Sequence, residues 1–251
     1  MLPRLPGDKS DTYYNNLVTA FQVLSQKQVI MNDQYLKLSW NRERYEAVEK
    51  ITSVPWQVVG VLHMRESDFN FDCNLCNGEP LNQVTQLEPK GLGPWATWED
   101  SAADAIKYDK DLLPEKWDMA STFRYLEGYN GFGYMGIGVH SPYLWSFSNI
   151  GVGVGKYTSD GHYDPRAVDD QCGCATMLIH MGFQGTSEKP VFVFSEDYTP
   201  KSENVDLQLL INEIIGKKQL SYIKLKTDGV LGDKTNAMML KMFGFKLFGS
   251  N

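Results

Sequence analysis

Three things are scarce in this 251-residue chain: cysteine (4), histidine (4) and positive charge, with 24 Lys and Arg against 31 Asp and Glu for a net −7. The charge deficit excludes a nucleic-acid partner gripped through its phosphates, because that grip comes from clustered Lys and Arg. No apolar run reaches the roughly 18 residues of a membrane span, which excludes stable membrane association. The opening residues, Met1 to Asp8, also lack the apolar core of a signal peptide, so the chain is expected to be made in the cytosol without a Sec-type exit. The cysteines stand as Cys73-x2-Cys76 and Cys172-x-Cys174. Two close pairs suggest a zinc site, but one pair has a single intervening residue and no His stands beside either. Reduced thiols are the expectation, with a disulfide as the alternative, and no metal or other cofactor is expected. Internal repeats and low-complexity tracts are absent.

What is present is ordinary globular material: 42% hydrophobic and 22% charged residues, with 22 Gly and 11 Pro. At roughly 100–200 residues per domain, one large or two unequal domains fit. Helical spacing of apolar residues predicts helices over 11–26 and 41–51, the second with Asn41 as its cap. Thr52-Ser53-Val54-Pro55 reads as a start signal, a capping hydroxyl ahead of Pro in the first turn. The apolar stripe Trp56, Val59, Leu62, His63 follows and ends at Met64-Arg65-Glu66-Ser67. Residues 68–95, rich in Asn, Gly, Pro and Asp, predict a small hairpin or irregular lobe. Further helices are expected at 98–108, 117–129 and 166–182. The layout is α+β, mainly α, with a small β-hairpin lobe. The domains are expected at 1–185, with a linker over 186–204 around the β-like run Val191–Phe194, and at 205–251 as a small three-helix module.

Glu66 closes a strongly apolar helix, where partial desolvation disfavours the charged carboxylate and raises its pKa. A carboxyl still protonated near neutral pH can act as a general acid. The plainer alternative is a solvated helix-end acid paired with Arg65.

Arg65-Glu66-Ser67-Asp68-Phe69-Asn70 resembles the E-S-x-F-N signature of the lysozyme-like superfamily, found in goose-type lysozymes and lytic transglycosylases. Glu127-Gly128-Tyr129-Asn130-Gly131 resembles that family's A-Y-N-x-G motif. Ser141 to Ser146, Gly155-Lys156-Tyr157 and Asp160-Gly161 resemble segments of phage and prophage lysozyme-like proteins. The resemblance implies a lysozyme-like helical domain in which Glu66 is the acid that cleaves the bond between N-acetylmuramic acid and N-acetylglucosamine. It also implies that Tyr129 and Asn130 line the sugar cleft. Environment-tuned carboxyl groups are the established basis of lysozyme chemistry.

The second carboxylate is open. Inverting glycosidases place a base roughly 6.5–9.5 Å from the acid, and retaining ones place a nucleophile closer. By similarity to phage lysozymes, Glu79 in Asn77-Gly78-Glu79-Pro80 would be the base and Thr85 would orient the water. Asp68 and Asp72 are alternatives for the first role, a turn acid and a strand residue the plain readings of Glu79 and Thr85. His63 lies three residues before Glu66 on the same helical face, where it either tunes the acid and its sugar site or simply packs in the core. Tyr143 and Trp145, with Tyr134 and Tyr157, could stack on sugar rings or fill the core.

In the C-terminal module, Leu207-Gln208 and the stretch Asp228-Gly229-Val230-Leu231-Gly232-Asp233-Lys234-Thr235 resemble a peptidoglycan-binding domain. Asp228, Gly229, Gly232 and Thr235 are its candidate wall-binding positions, and a folding turn is the plain reading. Together these resemblances imply a monomeric phage-type endolysin whose partner is bacterial peptidoglycan, held in the host cytoplasm before release to the wall, or carried in the virion. The alternatives are a lytic transglycosylase giving anhydro products, a chitinase or chitosanase, and a non-catalytic wall-binding or virion protein.

Overall fold

A computed structural model of the chain describes residues 7–87, 89–159, 161–183, 185, 201–217, 224–230, 234–235 and 237–239. The chain divides into two compact units, Met1–Glu188 and Lys189–Asn251. The first contains α1 (Asp11–Thr19), α2 (Gln28–Trp40), α3 (Arg42–Thr52), α4 (Trp56–Ser67), α5 (Trp98–Tyr108) and α6 (Met119–Tyr129). After them come the one-turn helices α7 (Gly133–Gly136) and α8 (Pro142–Trp145), the strands β1 (Lys156–Ser159) and β2 (His162–Asp164), and α9 (Cys174–His180). The architecture is α+β and mainly α, its described sheet being one antiparallel pair in which Tyr157 faces Tyr163.

α4 is the axis of this unit. Residues Val58 through Arg65 are all buried, as expected of a helix apolar around its circumference. Helices α2, α3 and α9 pack against it. Its start differs from the expected hydroxyl cap: Pro55 occupies the cap position, and the Trp56 N–H donates to Glu49 Oε2 on α3 at 3.3 Å. Thr52 instead uses its hydroxyl to accept from Val54 N. Asp68 ends the helix in the left-handed region at φ 47, followed by Phe69 at φ 63.

α8 lies in a backbone slot. A Cβ on Gly151 would stand 2.4 Å from the Trp145 carbonyl oxygen, and one on Gly173 would stand 2.2 Å from that of Leu144. Only glycine permits such approaches.

Other boundaries moved. The first helix stops at Thr19, and α2 is an element that apolar spacing did not predict. Asn41 donates its side-chain amide back to Lys37 O rather than capping α3. The helix expected over 166–182 is confined to Cys174–His180, because the preceding residues form a loop that delivers Asp169 to the core. The hairpin falls at 156–164; the 68–95 segment is irregular, with an isolated bridge between Cys73 and Pro80.

The second unit contains α10 (Lys201–Lys217) and a turn at Asp228-Gly229, with residues 234–235 and 237–239 helical. Ile211, Ile214, Ile215 and Met239 are buried in it. Residues 186–200 of the expected linker, the run Val191–Phe194, Asp160 and Gly232 lie outside the described residues.

Candidate active site

The left-handed turn after α4 leaves Glu66 on the last helical turn, exposed at the end of a buried helix. Tyr143 on α8 donates its phenol hydrogen to Glu66 Oε1 at 2.5 Å. Loss of water contact holds the Glu66 carboxyl above the usual range, against the opposing pulls of the Tyr143 hydrogen bond and the Arg65 charge. Tyr143, Tyr129 of α6 and Cys174 of α9 all sense the charge of Glu66. Burial raises both phenols well above their ordinary pKa, so they remain neutral donors. The Tyr129 hydroxyl donates to Leu75 O at 3.0 Å, tying α6 to the loop after α4. Asn130, the next residue, is exposed at the α6 terminus.

Arg65 is not the partner of Glu66. Its guanidinium donates to Asp169 Oδ1 at 3.3 Å, to Asp169 Oδ2, and to the Cys172 carbonyl at 3.4 Å. Lys156 on β1 adds a second cation 3.6 Å from Asp169. The Arg65 guanidinium also stands 5.0 Å from the Tyr143 ring centroid. No local pattern pointed to Asp169, 104 residues downstream of Arg65.

Glu79 and Thr85 are committed to their own loop. Glu79 Oε2 accepts from Gln86 N at 2.9 Å, Leu87 N at 3.0 Å and Asn77 Nδ2 at 2.9 Å. Thr85 is buried; its Oγ1 donates to Pro89 O at 2.6 Å and accepts from Leu92 N at 3.0 Å. Glu79 Oε2 thus carries three donors of its own loop, Glu79 Oε1 accepts from Gln86 N at 3.2 Å, and the Thr85 hydroxyl is both donor and acceptor inside that loop, so the contacts of both side chains are structural rather than those expected of a base and a water-orienting hydroxyl. Among the described residues, the groups that shift the Glu66 carboxyl besides its burial are Tyr143 and Arg65. The loop still borders the acid: a Cβ on Gly78 would lie 3.9 Å from Glu66 O.

Two expected sugar contacts belong to the core. His63 is fully buried, with its ring 4.3 Å from that of Phe71 and 4.4 Å from that of Trp98. Tyr45 Oη meets its Nδ1 at 3.1 Å, and burial pushes its pKa down to about 4. Trp145 is fully buried against Phe123 and Phe21. Neither can meet a sugar. Tyr143 is buried too, and reaches the site only through its hydroxyl.

All four thiols are unpaired. Among the described residues, no three His, Cys, Asp or Glu side chains gather as a metal site, and no helix is long and apolar enough to cross a membrane.

In the second unit, Gln208 is buried at the centre of its motif. Its amide donates to Asp228 Oδ1 at 3.2 Å, Val230 O at 2.9 Å and Thr235 Oγ1 at 3.4 Å, and its oxygen accepts from Gly229 N at 2.9 Å. Gly229 takes φ 73, which favours glycine. Asp228, Gly229 and Thr235 therefore build the turn, with Thr235 buried.

No protein-family model matches this chain, and no curated protein or solved structure is detectably similar to it.

Proposed function

We propose that the chain is a peptidoglycan-cleaving glycosidase, in which Glu66 protonates the glycosidic oxygen between N-acetylmuramic acid and N-acetylglucosamine. The observation that carries the proposal is Glu66 itself: an exposed residue at a buried helix end whose carboxyl is crowded enough to be raised in pKa and is held by a neutral phenol. A carboxyl whose pKa is raised in this way keeps its proton to higher pH than a solvated one, as a general acid must, and Tyr143 fixes which oxygen faces the substrate. Tyr129 stands near the acid on the α6 side, and Asn130 follows it at the end of that helix. In this reading the chain acts as an endolysin on the wall of a bacterial host, with the second unit as its wall-binding part. No cofactor is needed.

A second reading is favoured by one observation. The donors around Glu79 leave Glu66 as the candidate for both proton transfers, as in a lytic transglycosylase, where the muramic C6 hydroxyl attacks and an anhydro sugar results. One digestion separates the readings. Purified protein and Glu66→Gln are incubated with isolated peptidoglycan, and fragments are read by mass spectrometry after borohydride reduction. Reducible muramic ends that vanish in the variant support the hydrolase. Anhydro ends support the transglycosylase, and reducible glucosamine ends mean that another bond is cut. An absence of Glu66-dependent fragments from several wall types removes the enzyme reading and leaves a wall-binding protein.

A further inference from the structure

The Arg65–Asp169 pair needs an explanation beyond stability. The two side chains are 7% and 1% exposed. Burying two charges costs much of what their attraction returns, and well-packed apolar replacements of such pairs are often as stable or more so. This pair also sits one residue from the acid, and its cation faces the ring of the tyrosine that holds that acid.

We propose that Arg65, anchored by Asp169, is a positioning residue: it fixes the last turn of α4 and the Tyr143 ring together, so that the Tyr143 hydroxyl stays on Glu66. The anchoring is threefold. The guanidinium fork spans both Asp169 oxygens and reaches the Cys172 carbonyl, while Gln171 Nε2 donates to the Arg65 carbonyl at 3.2 Å. The loop before α9 thus holds Arg65 by both side chain and backbone. A planar fork can do this and still lie against an aromatic ring; a lysine ammonium cannot. Lys156 on β1 completes the charge balance at Asp169 and ties the hairpin to the same group. Facing Glu66 are Tyr143 from α8, Tyr129 from α6, Cys174 from α9 and Arg65 on its own helix. Of these, Arg65 carries the positive charge, so removing the pair withdraws support from the charged carboxylate both directly and through Tyr143. The inference deepens the acid role proposed for Glu66 and rests on that reading for its functional meaning.

The test reads the carboxyl itself and needs no substrate. Protein labelled with ¹³C at Glu side chains is titrated by NMR, Glu66→Gln assigning the signal. Wild type is compared with the double variant Arg65→Met/Asp169→Leu, with Tyr143→Phe, and with all three changes combined. The double variant is expected to fold and to titrate Glu66 higher, by at most about one pH unit, because of the two opposite charges removed only that of Arg65 acts on the carboxyl. The same double change is expected to shift it less when Tyr143 is already Phe. An unchanged Glu66 titration in a folded double variant overturns the proposal, as does an equal shift with and without the Tyr143 hydroxyl. Should the double variant not fold, Arg65→Lys replaces it; a smaller upward shift is expected, and none overturns the proposal. Peptidoglycan cleavage is measured alongside. A Glu66 shift in a wild type that releases no fragments would sustain the pair and defeat the enzyme reading, so the two failures are distinguishable. If wild type cleaves, the double variant is expected to lose rate by roughly tenfold or more at little change in KM.

Discussion

Glu66 and Glu79 carry the same functional group on segments that border each other, and their surroundings give them opposite work. Glu79 is gripped by two backbone N–H groups and an asparagine amide. It is a staple for the 77–92 loop. Glu66 receives one phenol hydrogen and otherwise faces crowding that disfavours charge. In the proposed role it is a proton donor. A carboxyl's role is thus decided by how many donors claim its oxygens and by how much water it keeps, neither of which short motif spacing reveals.

The largest expected break in this comparison is Glu66→Gln, which should lower peptidoglycan cleavage by roughly a hundred- to ten-thousandfold, the range of a lost general acid. The fold should survive. The sign of the pH effect follows from the raised pKa. A carboxyl raised by folding stabilises below its unfolded value and loses that contribution as pH rises through the folded one. Thermal melts should therefore place Glu66→Gln level with wild type in acid and at or above it beyond neutrality. A variant that melts lower at high pH would mean that the charged carboxylate is welcome there.

Next in size is the titration of His63, on the sealed side of the same helix. Its pKa falls from 6.5 to about 4 on burial. The unfolded chain therefore binds a proton over that window while the folded protein does not, and stability should drop by roughly 3 kcal/mol as pH falls through it. Urea unfolding as a function of pH checks this, and His63→Phe should flatten the slope while leaving cleavage in place.

Smaller effects are expected in the loop. Glu79→Ala should cost roughly 1–3 kcal/mol, since its backbone donors lose a charged acceptor. Glu79→Gln should keep cleavage far above that of Glu66→Gln. Loss of cleavage as complete as that in Glu66→Gln would restore Glu79 as the base and erase the contrast. Smallest is Thr85→Val, expected to cost about 1 kcal/mol and to speed proteolysis between residues 85 and 92 without moving the Glu66 pH profile. A shifted profile would restore the water-orienting role.

Local signals made parts of this arrangement legible. The apolar run from Trp56 and the polar turn after Ser67 marked the body and end of α4, and the helix expected over 98–108 matches α5, which Thr97 caps with its side chain. Glu66 could be singled out because a charge at the end of an apolar helix is a local anomaly. What surrounds it was not local. Tyr143 lies 77 residues away and Asp169 lies 104 from Arg65, and no periodicity encodes either pairing. His63 and Trp145 read as sugar contacts because an amphipathic tip looks alike from either side of a wall; only packing shows both inside. Helix α2 escaped notice because its apolar residues do not keep to one face, with Val29 and Ile30 turned to solvent.

The slot that holds α8 sorts positions by how freely they can drift. Side chains packed around Leu144 and Trp145 can be exchanged for others of similar volume, with neighbours repacking. A single methyl at Gly151 or Gly173 has no such latitude, because the atoms it would strike are carbonyl oxygens of the backbone carrying Tyr143. Distant relatives would then be traced better by these two glycines, framing a tyrosine that follows a proline, than by any aromatic of the presumed cleft.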